Sequence, residues 1–456
     1  MKQTFTIKEK LTQLNIILIP ILITQLAMFS MTFFDIMMTG NYSASHLAGV
    51  AIGSSIWFPV FTGLSGILLA VTPIVAQLTG ANKHKDVPSA VIQGVYASLI
   101  LAAVILTIGC LVLDPILNRM NLEEEVRYIA KYYIISLAFG IIPVFVYNVL
   151  RSFIDALGKT RVTMFITLAS LPLNIIFNYL LIFGKMGLPK LGGIGAGIAS
   201  TLTYWIITGA AAWIIHTKKP FIDYGIFMNV QRVSFKKLKE IFTLGIPIGL
   251  SIFVETSIFA AVTLFMSEFG TVVIAAHQAA LNFASLLYMV PMSISMALTI
   301  LVGYEYGANR FHDARIYSFM GIIQAVIISS AAGIFLFIYR VPIAGLYSDS
   351  PEVITWAAQF LMYAVFFQLS DAVQAPIQGA LRGYKDVNAT FIMAVISFWI
   401  IGLPFGFILA KFTDLGPFGY WLGLIVGLGA GAVTLSLRLL HVQKIRINIK
   451  KNEQAL

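Results

Sequence analysis

This sequence predicts an all-α integral membrane fold of about twelve transmembrane helices in two pseudo-symmetric six-helix lobes. Three observations carry that prediction. The chain is 59% hydrophobic and only 11% charged, with a mean hydropathy of +0.88, against roughly 25% charged for a soluble domain. Its apolar residues fall in long runs between short polar breaks, and a crossing needs roughly 20 of them. One polar motif occurs twice, as GANKHKD at 80–86 and GANRFHD at 307–313, an offset of 227 (307 − 80).

In chain order the apolar runs lie near 12–38, 47–78, 88–112, 126–149, 162–183, 193–215, 238–266, 271–303, 314–338, 352–378, 387–409 and 416–440. The first follows the basic residues Lys2, Lys8 and Lys10. It is longer than the apolar core of a secretory signal and ends at Asp35 rather than at a small-residue cleavage site, so it reads as the first span. Pro20, Pro59, Pro73, Pro143, Pro172, Pro247, Pro291 and Pro376 fall inside runs, where they kink helices. The lone cysteine, Cys110, excludes an intramolecular disulfide and a cysteine metal cluster.

The duplication extends beyond the motif. Pro20 pairs with Pro247 at the same offset, and Leu191-Gly192-x-x-Gly195 pairs with Leu415-Gly416-x-x-Gly419 at an offset of 224 (415 − 191). With an even number of spans in each half, both halves enter the membrane from the same side. That is the pattern of parallel repeats about an axis along the membrane normal, with a substrate pathway between lobes. The expected division is 1–220 as an N-lobe holding spans 1–6, 221–240 as a cytoplasmic linker, and 241–456 as a C-lobe holding spans 7–12 with a basic cytoplasmic tail.

The net charge of +10 has no nucleic-acid meaning here, because the basic residues sit between spans on alternate sides. Of the 30 lysines and arginines, 23 fall in the tails and the even-numbered connections and 7 on the other side. Basic loops are retained in the cytoplasm. The expectation is therefore a multi-pass protein of the cell (plasma) membrane, in contact with lipid, with both termini cytoplasmic. The same assignment leaves no lysine or arginine within a span.

Three acids do lie deep in apolar runs: Asp35 in MTFFDIMM, Glu255 in LGIPIGLSIFVETSIFAAVTLF, and Asp371 in VFFQLSDAVQAPI. An ionisable group at the centre of a membrane helix costs about 2.5–3.5 kcal/mol on insertion scales, so such groups mark transport or ion sites by default. Glu255 and Asp371, from spans seven and ten, can converge in one lobe, where two carboxylates either bind a cation or share protons. The structural alternative is a pair of protonated, hydrogen-bonded acids. Asn174 and Asn178, on one helix face, and Thr201 are possible partners for Asp35. Membrane asparagines also serve as plain interhelical glue.

His277, Gln278 and Asn282 share a face of span eight with Tyr288 further along. His277 reads first as a packing residue, and Tyr288 either packs or offers its ring to a cation. None of the three acids has an acidic repeat partner: Glu255 aligns with Met28, Asp371 with Tyr147 and Asp35 with Val262. The chain lacks a Walker loop, metal-spaced histidines and GxSxG, and its acids do not fit the YD plus GxGD pattern of intramembrane aspartyl proteases. It reads as no enzyme, without cofactors.

Taken together, FFDIMMTG at Asp35, GIPIGLSIFVETS at Glu255, AAHQAALNFASLLYMVP and QLSDAVQAPIQGALRG at Asp371 resemble the NorM branch of the multidrug and toxic compound extrusion family, over nearly the whole chain. The resemblance implies a monomeric antiporter that exports organic cations and drugs in exchange for inward Na⁺, with H⁺ as the alternative coupling ion. It implies Glu255 and Asp371 as the cation site and Tyr288 as a cation-π contact. Asp35 matches the acid of the N-lobe, whose polar cluster is represented by Asn174, Asn178 and Thr201. Ser55, Gln278 and Asp349 fall where drug contacts are expected. The rival within the superfamily is a lipid-linked sugar or metabolite flippase or exporter. Its anionic cargo would want basic cavity residues.

Overall fold

The computed structural model describes residues 3–120, 122–228 and 231–455. Among them every regular element is helical. They are α1 (Ile7–Tyr42), α2 (Ala44–Leu68), α3 (Val71–Gly80), α4 (Val87–Arg119), α5 (Glu124–Ala138), α6 (Ile141–Ala156), α7 (Thr160–Phe183), α8 (Gly193–Thr217), α9 (Phe235–Met266), α10 (Thr271–Gly307), α11 (Phe311–Gly345), α12 (Pro351–Gly383), α13 (Val387–Val395), α14 (Leu403–Phe412) and α15 (Pro417–Ala455). Only helices satisfy their own backbone groups where water is absent.

Among the described residues eleven stretches are long and apolar enough to cross a membrane, and twelve if α5 and α6 form one bent span. The bend between them is 47°. It falls at Phe139 and Gly140, three residues before Pro143 (143 − 140), which has no backbone N–H to give to the helix, and proline is a common cause of such kinks. The eleventh stretch is also irregular, because Ile396–Gly402 is wound as a π-helix between α13 and α14. Such segments recur at functional sites.

Two compact units make up the chain. The first is Ile23–Gly249, and the second is Lys2–Leu22 with Leu250–Leu456. The division therefore runs through helices α1 and α9 rather than through the basic segment 221–240. Leu22 and Gly249 are themselves separated by the repeat offset of 227 (249 − 22), just after the paired Pro20 and Pro247. Each half's first helix begins packed in the unit formed by the other half.

In the first unit the beginning of α9 lies hard against α2. A Cβ on Gly245 would sit 2.3 Å from the Ile67 carbonyl oxygen, and one on Gly249 would sit 2.4 Å from that of Gly63. This small-x-x-x-small spacing is how membrane helices approach backbone to backbone. In the second unit the core is aromatic, with Trp421, Phe360 and Tyr420 buried. His277 sits inside that core, accepting the Trp421 Nε1–H on Nδ1 at 3.2 Å, with Thr263 Oγ1 3.1 Å from Nε2. It is a packing residue with both nitrogens occupied. Cys110 is exposed.

Candidate functional site

Helix α12 supplies the working face of the second unit. Asp371, Gln374, Gln378 and Arg382 follow one another at spacings of three, four and four residues, which stacks them on one side of a helix. The helix is held tightly against α10 because Gly379 carries no side chain: a Cβ there would lie 2.1 Å from the Ser295 carbonyl oxygen. From α9, Glu255 points at this face. Its Oε1 accepts hydrogen bonds from Gln378 Nε2 and from Gln374 Nε2, the latter at 3.5 Å.

Asp371 is 93% removed from the surface and feels the charge of Glu255. Tyr288, half-buried on α10, interacts electrostatically with both carboxylates and with Arg382. Two acids and an aromatic hydroxyl from three helices thus lie close enough to interact through their charges. Around them are buried oxygens with no hydrogen-bond partner among the described residues: Gln374 Oε1, Gln368 Oε1 and Ser397 Oγ, the last on the π-helix. Trp399 of that segment donates to the carbonyl of Val254, the residue before Glu255, at 3.4 Å.

Neither glutamine was marked by the acid-in-apolar-run signal, although the i, i+3, i+7 spacing from Asp371 was there to be read. Arg382 corrects a sequence expectation outright. It lies inside α12, half-buried, with its Nη2 donating to Gln378 Oε1 at 3.4 Å. Arg151 in α6 is a second correction, being 8% exposed and paired with Asp155 at 3.4 Å. Loop assignment failed for both because a helix that continues past its apolar run carries its last basic residue inward with it.

In the first unit Asp35 is the centre of a smaller cluster. Asn178 Nδ2 donates to Asp35 Oδ1 at 2.5 Å and to Asn174 Oδ1 at 3.0 Å, and Ser200 Oγ donates to Asp35 Oδ2 at 3.3 Å. Both asparagines are fully buried. Thr201 is not part of this cluster; its hydroxyl donates instead to the Ser136 carbonyl at 2.6 Å. Neighbouring residues on a helix point about 100° apart, so the adjacent Ser200 takes the place expected for Thr201. Asn178 Oδ1 and Asn174 Nδ2 are buried without a partner among the described residues.

The remaining candidates stand apart. Ser55 is exposed and bonds its own helix at Ala51 O, 2.8 Å away. Gln278 is exposed on α10 next to the buried His277, and Asp349 is exposed between α11 and α12. No group of three His, Cys, Asp or Glu is placed to hold a metal ion among the described residues.

A family model described as MatE matches the chain twice, over residues 20–180 and 247–408. The chain belongs to the MATE family. The two MatE matches begin 227 residues apart (247 − 20), the offset of the internal repeat. The chain is 57% identical over 444 residues to a protein of Halalkalibacterium halodurans named "Probable multidrug resistance protein NorM", covering 97% of each. It is likewise 57% identical to the protein of that name from Bacillus subtilis, covering 97% of this chain and 98% of the relative.

Among solved structures it is similar to an outward-facing multidrug resistance MATE family transporter, with a TM-score of 0.87 at 18% identity, covering 97% of this chain and 100% of that one. It is also similar to the eukaryotic MATE transporter AtDTX14, with a TM-score of 0.85 at 21% identity, covering 97% and 99%. At such identities these likenesses speak for the all-α multi-span fold. This MATE protein is a secondary transporter of the multidrug efflux type and not an enzyme.

Proposed function

We propose that this transporter exports organic cations and drugs across the cell membrane in exchange for inward Na⁺, working as a monomer with both termini in the cytoplasm. The observation that carries the reading is the convergence of Glu255 and Asp371 on the glutamine face of α12. Expelling a monovalent cation from a cell that is negative inside costs about 2.3 kcal/mol per 100 mV, so a coupling cation must enter to offset it. Two carboxylates and the unpartnered oxygens of Gln374 and Ser397 form an oxygen-only donor set, which suits a hard ion.

The donor residues fit the ion as cargo. Gln378 and Gln374 fix the rotamer of Glu255 so that its other oxygen stays available. Asp371 supplies a second charge, and Tyr288 covers the acids from α10. Repulsion between the two carboxylates favours any state in which a cation lies between them. In the first unit, Asp35 with Asn174, Asn178 and Ser200 supplies a charge that attracts cationic cargo or relays a proton, and Ser55, Gln278 and Asp349 are candidate drug contacts. A flippase for anionic lipid-linked sugars fits less well, because Arg382 and Arg151 are each engaged by groups of their own unit.

The test is efflux of an ethidium-like dye from proteoliposomes with Na⁺ and pH gradients imposed separately. An inward Na⁺ gradient at constant pH should drive efflux, and Glu255→Gln should remove the Na⁺ dependence. Efflux that follows the pH gradient and ignores Na⁺ would assign the coupling to protons.

A further inference from the structure

Arg382 is a fixed positive charge one amide away from Glu255. Its Nη2 donates to Gln378 Oε1 at 3.4 Å, and the other end of that amide, Nε2, donates to Glu255 Oε1. Glu255 and Tyr288 both interact with it electrostatically. A guanidinium keeps its proton under all conditions a cell offers, so this charge does not come and go. An acid pair left without a cation would be costly in an apolar unit.

We propose that Arg382 is the resident countercharge of the coupling site. When the coupling cation is bound, Arg382 opposes it and weakens its hold. Once the cation has left, Arg382 compensates Glu255 through Gln378 and keeps the empty site stable. The residue thereby sets cation affinity at a level that permits release. The inference rests on the reading of Glu255 and Asp371 as the coupling site. The plainer role for Arg382 is to lie against the carbonyl end of the α12 dipole, which a cation in the last turn does in many helices.

Melting temperature in a sodium-free choline buffer, measured on the full chain in detergent, separates the two. Arg382→Gln should lower it, and adding Glu255→Gln to that variant should restore most of the loss, because no uncompensated charge then remains. Arg382→Lys should stay near the native value. Equilibrium binding of ²²Na⁺ gives the second readout. Removing a like charge at this range, at an effective dielectric near 20, should tighten Na⁺ binding by about tenfold in Arg382→Gln.

Losses that simply add in the Arg382→Gln/Glu255→Gln double variant would overturn the proposal, since a dipole or packing role does not depend on Glu255. Unchanged Na⁺ affinity in Arg382→Gln, in a native chain that binds Na⁺, would overturn it as well. A coupled cycle in a chain that binds no Na⁺ would uphold the countercharge and overturn the sodium reading instead.

Discussion

Lys10 Nζ lies 3.0 Å from the carboxylate of Asp313, joining the first helix of the chain to the second copy of the repeated motif. The ammonium also donates to the Thr4 carbonyl at 2.7 Å and to Thr4 Oγ1 at 3.2 Å. The repeat carries the same relationship in reverse: Lys237, on the first helix of the second half, sits 4.0 Å from Asp86 of the first motif. Both members of the two pairs are related by the offset of 227 (237 − 10 and 313 − 86). Each pair lies within one compact unit, at the place where the beginning of α1 or α9 packs with the other half's helices.

The two pairs should differ in worth. The Lys10 side chain is only 2% exposed, whereas those of Lys237 and Asp86 are 35% and 56% exposed. Breaking a buried pair by deleting one partner costs about 3–5 kcal/mol, while an exposed pair is worth about 0–1 kcal/mol. Asp313→Asn, which leaves Lys10 buried without its charge partner, should lower the melting temperature in detergent far more than Asp86→Asn. Equal losses would mean that the symmetry of sequence extends to the energetics.

Glu255→Gln and Asp371→Asn should each abolish dye efflux in proteoliposomes while leaving expression and the size-exclusion profile native. Removing charge from the interior of a membrane helix eases insertion by up to the roughly 2.5–3.5 kcal/mol that the charge costs. A variant that pumps at the native rate would remove that acid from the coupling site.

Asp35→Asn should weaken transport of cationic dyes more than that of neutral drugs, because it cancels the charge that Asn178 and Ser200 hold in place. Initial efflux rates for one cationic and one neutral substrate measure the difference. Equal loss for both would give Asp35 a relay or structural role.

Lys219 is exposed in the segment after α8, and the orientation proposed from the 23-to-7 distribution of basic residues would put that segment in the cytoplasm. A cysteine introduced there should resist an impermeant thiol reagent in intact cells and react after lysis, in a background where Cys110 is replaced. Rapid labelling of intact cells would reverse the orientation.

Much of this protein was legible in its sequence. Spans are legible because the bilayer acts on each residue separately: apolar runs of the right length must cross, and an acid such as Asp35, Glu255 or Asp371 within one is exceptional wherever it points. The duplication was legible because Pro20, Pro247 and the GAN motifs survive as local matches. What the tertiary structure decided concerns which side chains face one another across helices. That Ser200 rather than Thr201 reaches Asp35, that Gln374 and Gln378 hold Glu255, and that Arg382 lies on α12 bonded to Gln378 rather than in a loop all follow from how α8 and α12 are rotated against their neighbours. That rotation is set by close contacts between helices distant in sequence, such as Gly379 against Ser295. No period or local motif encodes such contacts. The exchange of the first helices between units is likewise a result of long-range packing, visible only once Leu22 and Gly249 are seen to end at matched positions.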